Sequence, residues 1–274
     1  MRAALTIAFF GIVAVLPCRA DVALPQPGPQ RLGHVDALVF GRVTGFEDQD
    51  VEALPYSKGP KVTYRIAVVT VTEGLIGAKA KETIRVGFVV PQPGQPRFPR
   101  YPAKLEVGQD GLLYLSKHHE QKFFVMPMFF DFTDRKNPNF DAEIKVGRLA
   151  AKALAKPLEG LKSKDAEERS TTAAVLLYRY RSPRQGATKT EAIPAEESKL
   201  ILTALSEMDW NLQGGRVQPS AIQLFNMLGA TPKDGWDAQK YKDVQELQRA
   251  ARAWLTEHAD AYRIQRFVTP APAK

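Results

Sequence analysis

The spacing of apolar side chains changes near residue 140, and this change most constrains how the chain can fold. From about residue 35 to residue 132 the apolar pattern is strand-like, with the side-chain period of two that β-strands have. Beyond residue 140 apolar residues recur every three or four positions, which is the period of helices. The sequence therefore predicts an α+β fold, with a sheet domain at 35–140 and a helical domain at 141–268.

Five strands are predicted in the first part of the chain, at 38–43, 62–71, 83–90, 112–115 and 123–128. Gly41, inside the first of them, predicts a bulge or a close approach of another backbone. Five prolines between residues 91 and 102 are incompatible with a central strand and predict a long surface loop. Five strands at this spacing are typical of a small barrel or a sandwich.

Helix boundaries are marked by several local signals in the second part. Asp165 with Glu168 three positions later resembles a capping box, Pro194 and Pro219 each open a helix, and Gly229 ends one. Each helix has one apolar stripe that must be buried against a neighbour. We expect a compact helical bundle, or a short irregular stack of helix pairs, rather than a true repeat array. The stripe of the last long helix is Val244, Leu247, Ala251, Trp254 and Leu255.

The N-terminal segment 1–20 has the organisation of a secretory signal peptide. Arg2 provides the positive charge, an apolar stretch runs from residue 3 to residue 16, and Cys18-Arg19-Ala20 places small residues at the cleavage site. The apolar stretch is shorter than the roughly 20 residues of a membrane span. We therefore expect a secreted or periplasmic protein, cleaved near Ala20, with no transmembrane span in the mature chain. Lipidation of Cys18 is the alternative, although Pro17 fits it poorly.

Composition limits the chemistry of the mature chain. Cleavage removes the only cysteine, so neither a disulfide nor a thiol nucleophile is expected. The formal net charge of +8 falls to +6 when Arg2 and Arg19 are removed, which is ordinary for solubility. We expect a flexible leader at 21–34 and a disordered tail at 269–274. The expected partner is a protein or an anionic polymer of the cell envelope, and no nucleic acid is expected.

A resemblance to a known family covers residues 35 to 130. Asp36-Ala37-Leu38-Val39-Phe40-Gly41-Arg42-Val43-Thr44-Gly45 resembles the opening strand of netrin-like domains, which include the tissue inhibitors of metalloproteinases. The strand from Tyr64 to Glu73, and Val107-Gly108-Gln109 ahead of the apolar run 112–115, also fit this family. The resemblance implies a five-stranded barrel of the oligonucleotide/oligosaccharide-binding (OB) type. It implies no inhibitory residue, because the inhibitors use an N-terminal cysteine that the mature chain lacks. The helical half resembles helical domains of exported bacterial proteins of unknown function, including loosely HEAT-like ones.

Metal and nucleophile motifs give no assignment. The chain contains neither H-E-x-x-H nor G-x-S-x-G, and its paired glycines lack the lysine of a phosphate loop. His118 and His119 are expected at a solvated hairpin tip, with a weak metal site including Glu120 as the alternative. His258 is expected to complement the dipole at a helix C-terminus. No metal and no cofactor are predicted.

Two groups of carboxylates are the remaining catalytic candidates. Asp131 and Asp134 lie near the domain junction, and Asp48, Asp50 and Glu52 lie in the first loop. Neither group has the spacing of a calcium loop, so solvated turns are expected rather than a calcium site or an acid–base pair.

Two basic–aromatic segments are better suited to binding. The first is in the proline-rich loop, where an extended backbone loses little entropy on docking; a loop that folds back over the barrel is the alternative. Its candidate binding residues are Arg97, Phe98, Arg100, Tyr101 and Lys104. The second runs from Tyr178 to Arg184 at a helix end, where the dipole also favours cations.

The sequence as a whole predicts an exported, non-catalytic binding or scaffolding protein of unknown ligand. Its candidate contact surfaces are the proline-rich loop and the groove between the two domains. One alternative is an exported hydrolase with a site at the junction around Asp131 and Asp134. Another is a barrel similar to a protease inhibitor but without the N-terminal cysteine.

Overall fold

The structure, a computed structural model, describes residues 28–55, 60–89, 105–126, 131–183, 187–211 and 219–268. Within these ranges the chain has a seven-stranded sheet, a two-stranded sheet and seven α-helices. The predicted α+β class is therefore confirmed. The predicted signal peptide at 1–20 and the predicted tail at 269–274 lie outside the described residues.

The larger sheet is formed by the first half of the chain. Its strands are β1 (Ala37–Phe46), β2 (Val51–Ala53), β3 (Val62–Ile76), β4 (Thr83–Val89), β5 (Asp110–Lys117), β6 (Phe124–Val125) and β7 (Phe132–Asp134). The five predicted strands correspond to β1, β3, β4, β5 and β6. The other two have only three residues each, which is too short for an alternating pattern to distinguish them from loop.

The successive strand pairs of this sheet begin and end at the same strand, β1. β1 pairs antiparallel with β3 on one side and with β5 on the other. β3 pairs antiparallel with β4, β4 pairs parallel with β6, and β6 pairs antiparallel with β5. The short strands β2 and β7 are added to β3 and β5. Hydrogen-bonded pairs thus lead from β1 through β3, β4, β6 and β5 back to β1.

Gly41 in β1 shows the predicted irregularity. The register with β3 shifts between Phe40 and Gly41, and a Cβ atom on Gly41 would lie 2.9 Å from the carbonyl oxygen of Thr70. Both the bulge and the close backbone approach are confirmed. The absence of a side chain at this position allows the two strands to approach.

The helices, apart from α1, follow the sheet in sequence. They are α1 (Gly28–Leu32), α2 (Phe140–Ala155), α3 (Pro157–Leu161), α4 (Ala166–Arg181), α5 (Ala195–Ser206), α6 (Ala221–Leu228) and α7 (Val244–His258). None of these helices combines the length and the apolar character that crossing a membrane requires. In α7, Ala251, Trp254 and Leu255 are buried as predicted, whereas Val244 is 65% exposed because it stands at the first position of the helix.

Helix ends agree with the predicted signals in part. The Asp165 carboxylate accepts hydrogen bonds from the backbone N–H groups of Glu167 and Glu168 and so caps α4. The predicted return contact is replaced, because the Glu168 carboxylate binds Lys152 and Ser163 instead. A reciprocal capping box is found one step after Pro219, where Ser220 and Gln223 start α6. Gly229 ends this helix in the left-handed conformation, as predicted.

Two short strands lie beyond residue 140, contrary to the prediction of a purely helical second half. β8 (Lys189–Ala192) pairs antiparallel with β9 (Gln265–Val268). β8 lies between α4 and α5, where no strand was predicted. Its residues are all exposed, so no apolar alternation indicated a strand. Backbone pairing and the ion pair between Glu191 and Arg266 hold it in place.

The predicted flexible leader at 21–34 is wrong for residues 28–34. Residues 28–32 form α1, in which Leu32 is 1% exposed and Arg31 is 3% exposed. Leu32 packs into an apolar cluster together with Leu38, Tyr114 and Val175. The glycine and proline content of the segment suggested mobility, but these tertiary contacts order it.

One apolar core crosses the predicted domain boundary at 140/141. Leu38 and Tyr114 of the sheet share it with Ile144 of α2 and Val175 of α4. Side chains therefore fill the contact between the sheet and these two helices. A second cluster lies within the sheet, and a third lies among α4 to α7.

Candidate functional site

A pocket opens where β4 begins, beside the turn that joins β5 to β6. The turn consists of residues 118–123 and is called the 118–123 turn below. β6 lies parallel to β4, with Val86 opposite Phe124, and antiparallel to β5, with Lys117 opposite Phe124. This double pairing brings the turn against the first residues of β4. Gly87 leaves room for it, since a Cβ atom there would lie 2.6 Å from the Phe123 ring.

The pocket, called the turn pocket below, has a volume of about 330 Å³. β4 and the residue before it form one wall, and the end of β5 together with the 118–123 turn and the start of β6 forms the other. Aromatic rings and cationic side chains both reach it. The residues that line it are Glu82, Thr83, Ile84, Arg85, Lys117, His118, Gln121, Lys122, Phe123 and Phe124.

Arg85 is fixed by two hydrogen bonds to Glu47, which follows β1. Its Nε atom lies 2.6 Å from one Glu47 carboxylate oxygen, and its Nη2 atom lies 2.8 Å from the other. These hydrogen bonds lower the pKa of Glu47 and raise that of Arg85. Arg85 also lies 3.4 Å from the carbonyl oxygen of Lys122. Its charge is therefore largely matched, and its role is to hold the loop after β1, β4 and the turn together.

Lys117 and Lys122 supply the unmatched positive charge of the turn pocket. Both residues are exposed. Among the residues that the structure describes, neither ammonium group forms an ion pair with a carboxylate. Glu82 is the acidic residue of the pocket lining, and one of its carboxylate oxygens accepts a hydrogen bond from the backbone N–H of Lys79. The two lysines thus give the pocket mouth a positive charge that is free to meet a ligand.

His118 is buried at the base of the 118–123 turn and is 7% exposed. Its Nδ1 atom lies 3.1 Å from the backbone nitrogens of both Glu120 and Gln121. Backbone N–H groups only donate, so Nδ1 is the acceptor and the proton of the neutral ring is on Nε2. The prediction of a solvated tip is therefore wrong for His118, because the turn folds its ring inward.

Aromatic rings surround the His118 imidazole. The ring centroids of Tyr64, Phe123 and His119 lie 5.6, 4.9 and 4.7 Å from that of His118. Burial lowers the pKa of His118, and the neighbouring His119 lowers it further. Glu120 and the backbone carbonyl of Leu54 act in the opposite direction. Nε2 is buried without a well-aligned hydrogen bond in the described part of the chain.

The predicted binding loop cannot be placed against this pocket. Its candidate residues belong to the segment 90–104, which lies outside the described residues. The binding role assigned to this loop therefore stays a prediction. The residues concerned are Arg97, Phe98, Arg100, Tyr101 and Lys104.

The structure does not bring the junction carboxylates together. Asp131 is buried, whereas Asp134 is partly exposed and its carboxylate accepts the backbone N–H of Lys136. The two residues are three positions apart around a strand, so their side chains point to opposite faces. Asp48 and Asp50 are exposed in the first loop, and Glu52 is exposed in β2. No group of three metal-binding side chains is found among the described residues.

The basic end of α4 is used for internal contacts. Arg179 donates to the carbonyl oxygen of Val35, and Arg181 donates to those of Met227 and Gln265. Tyr180 donates to Glu197 through a short hydrogen bond. These contacts favour the structural interpretation of this segment over an anionic-partner site. His258 is likewise structural: it is the last residue of α7, and its Nδ1 atom lies 3.0 Å from the carbonyl oxygen of Trp254.

No sequence motif indicated the site residues Arg85, Lys117 and Lys122. Arg85 is an ordinary cation in an alternating strand, and the two lysines are close in sequence to His118 and His119, which were expected at a solvated hairpin tip. Their proximity depends on the parallel pairing of β4 with β6, which no local pattern encodes.

Comparisons with known proteins identify no relative. No protein-family model matches the chain, and no curated protein or solved structure matches it significantly. The netrin-like resemblance and the likeness of the helical half to domains of exported proteins therefore stay predictions.

Proposed function

We propose that this chain is an exported, non-catalytic binding protein that holds carboxylate or phosphate groups of an anionic envelope polymer in the turn pocket. The observation that carries the proposal is the pair of exposed, unmatched lysines, Lys117 and Lys122, at the mouth of a pocket lined by Phe123 and Phe124. Charge-assisted hydrogen bonds from ammonium groups to anionic oxygens are among the stronger polar contacts. Aromatic side chains beside them offer an apolar surface to the body of a ligand.

The strand order supports an OB-like barrel as the frame of this site. In an OB fold five strands close into a partly open barrel, and ligands bind across the second and third strands and the loops after the first and fourth. Counting β1, β3, β4, β5 and β6 as the five strands, these loops are residues 47–61 and the 118–123 turn. The turn pocket adjoins β4, and Glu47 of the first loop contacts it through Arg85. The netrin-like resemblance of residues 35–130 agrees with this frame.

Export is part of the same proposal. The signal-like segment 1–20 would deliver the chain to the periplasm or the exterior, where polymers bearing carboxylate and phosphate groups occur. A hydrolase at the junction is less well supported, because Asp131 and Asp134 face opposite sides of their strand. The positions of these carboxylates leave the binding function as the better-supported one.

Calorimetric titration with two anionic probes tests the proposal. The probes are an oligogalacturonate, with its methyl ester as the uncharged control, and an oligomer of glycerol phosphate. We expect one or both anionic probes to bind, the methyl ester not to bind, and affinity to fall as salt is added. A preference between the probes distinguishes carboxylate from phosphate as the recognised group.

A pair of double variants locates the binding. Lys117→Ala with Lys122→Ala should weaken binding by about tenfold or more, because two charge-assisted contacts are removed. Lys164→Ala with Lys240→Ala is the matched control, since it removes the same charge from exposed positions in the helical half. Equal weakening by both double variants would show nonspecific attraction and contradict the proposal. Binding of a protein from envelope extract, with neither anionic probe bound, would contradict it in favour of a protein partner.

A further inference from the structure

His118 is held by hydrogen bonds that only its neutral form can accept. Its Nδ1 atom takes the backbone N–H groups of both Glu120 and Gln121, at 3.1 Å each. A proton on Nδ1 would turn this acceptor into a donor that faces two other donors. Both hydrogen bonds would then be lost, and the 118–123 turn would lose the contacts that fold it over the ring.

The surroundings of the ring oppose a charge at this position. His118 is only 7% exposed, and its ring packs against Tyr64 of β3 and Phe123 of the turn. A buried imidazolium without paired charge is unfavourable, so protonation favours exposure of the ring to water. Exposure requires the turn to move, because the turn itself covers the ring.

Charged and titratable groups lie near His118 in the 118–123 turn, in β3 and in β4. In the turn these are His119, whose ring stacks on it, and Glu120, which lies within 3.4 Å of His119. β3 contributes the Tyr64 phenol. β4 contributes Arg85, whose guanidinium lies over the Phe123 ring, 5.9 Å from its centre. The residue after β2, Leu54, presents only a backbone carbonyl. Among the described residues, Glu120 is the one nearby group whose charge favours the protonated ring.

The same turn forms one wall of the turn pocket. Gln121, Lys122 and Phe123 belong both to the turn and to the pocket lining. Opening of the turn would withdraw Lys122 from the position that faces β4. A change at His118 is therefore transmitted directly to the pocket, without any intervening element.

We propose that the 118–123 turn is an acid-sensitive latch, which opens when His118 takes a proton on Nδ1 and thereby weakens the hold of the turn pocket on an anionic ligand. Opening is a property of the free protein, whereas its effect on the ligand rests on the proposed function. The direction of the ligand effect is diagnostic. Simple charge attraction strengthens the binding of a polyanion as a protein gains protons, but the latch predicts weaker binding in acid.

The latch is tested first without a ligand, by following backbone amide resonances of the mature chain between pH 8 and pH 4.5, that is on either side of the ordinary histidine pKa of about 6.5. We expect the amides of Glu120 and Gln121 to change together with the His118 ring, at a midpoint below 6.5 because burial lowers the pKa. Amide exchange in the turn, corrected for its intrinsic dependence on pH, should increase over the same interval. Amide resonances that stay constant while the His118 ring titrates would overturn the latch.

Two variants distinguish the effect of His118 on the turn from that of His119. His118→Asn keeps an acceptor oxygen for the two backbone N–H groups but does not titrate, so its turn should remain closed across the whole interval. His119→Asn removes the neighbouring imidazole and should keep the transition, with a midpoint closer to the ordinary value because His119 no longer lowers the pKa of His118. A transition that persists in His118→Asn would overturn the proposal.

Titration of oligogalacturonate at pH 7.5 and at pH 5 then tests the effect on the ligand. We expect the affinity of the natural chain to fall about tenfold or more in acid, and that of His118→Asn to hold or to rise. Equal or tighter binding by the natural chain in acid would overturn control of the pocket by the latch. Absence of binding at both pH values, with the turn transition intact, would instead contradict the proposed function, so the two failures are distinguishable.

Discussion

Arg31 and Glu143 lie 112 positions apart in the chain and form a buried ion pair, with Nη2 and Oε2 separated by 2.7 Å. The hydroxyl group of Thr133 donates to the same carboxylate at 2.6 Å, and the Arg31 guanidinium lies 3.8 Å from the centre of the Tyr114 ring. Residues from α1, β5, β7 and α2 therefore meet at one buried polar contact. It joins the sheet to the helical half alongside the apolar core that they share.

Removal of one partner of this pair should destabilise the protein strongly. Arg31→Met leaves the buried Glu143 carboxylate without the guanidinium that pairs with it, and we expect the free energy of unfolding to fall by about 3–5 kcal/mol. Urea unfolding of the mature protein measures it. Arg148→Met is the control, since Arg148 also pairs with a carboxylate, that of Glu73, but in an exposed position, and its loss should cost less than about 1 kcal/mol. Similar losses for the two variants would contradict a special role for the buried pair.

A side chain at position 87 should disturb the 118–123 turn. In Gly87→Ala the new methyl group would lie 2.6 Å from one atom of the Phe123 ring and 2.9 Å from another. We expect a loss of about 1–3 kcal/mol in thermal or urea unfolding, together with a shift of the His118 ring resonances. Gly45→Ala is the control in β1, because nothing lies within 4 Å of its new methyl group. An unchanged His118 resonance in Gly87→Ala would be inconsistent with the packing described.

The contact between Glu47 and Arg85 should make stability depend on pH in the acid range. Its hydrogen bonds lower the pKa of Glu47 in the folded chain below the ordinary 4.5. The unfolded chain then binds a proton first as pH falls, so this contribution is complete above 4.5 and is lost as pH falls towards the folded pKa. Carboxyl carbon NMR should find the Glu47 midpoint below 4.5, and in Arg85→Gln it should return towards that value. An ordinary midpoint in the natural chain would contradict the paired geometry.

The N-terminal cap of α6 should contribute measurably to stability. The Ser220 hydroxyl accepts the backbone N–H of Gln223, whose side chain returns to the backbone N–H of Ser220. Ser220→Ala should lower the free energy of unfolding by about 0.5–2 kcal/mol. Ser170→Ala is a suitable comparison, since its hydroxyl contacts a carbonyl inside an exposed turn of α4 and leaves no helix N–H unsatisfied. Equal effects would show that capping is not the source of the loss.

Local patterns predicted the longer elements because burial of one face imposes a regular spacing. β1 alternates between buried and exposed residues from Gly41 to Thr44, β3 alternates over part of its length, and the α7 stripe includes the buried residues Trp254 and Leu255. The elements that were missed have no such face. β8 is exposed along its whole length, and α1 is ordered by tertiary contacts of Arg31 and Leu32 rather than by helix propensity.

The candidate site was less predictable than the fold. The segment around His118 was recognised as a turn between two strands, and the structure places it there. Its burial depends on Tyr64, which is 54 positions earlier, and its proximity to Arg85 depends on the parallel pairing of β4 and β6. Such contacts are set by the register of distant strands, and a single sequence carries no local signal for that register.

Binding of an anion in the turn pocket can be observed directly by mapping an anionic probe onto the protein. Oligogalacturonate would be added in steps to the isotopically labelled mature chain at pH 7.5 while backbone amide resonances are followed. If the turn pocket holds the probe, the largest, saturable changes will fall on residues 82–85 and on the pocket-lining residues between 117 and 124, the two walls of the turn pocket. Changes centred instead on the polar groove lined by Trp210, Gln248, Arg249 and Arg252, or small changes spread evenly over exposed lysines, would contradict binding in the turn pocket.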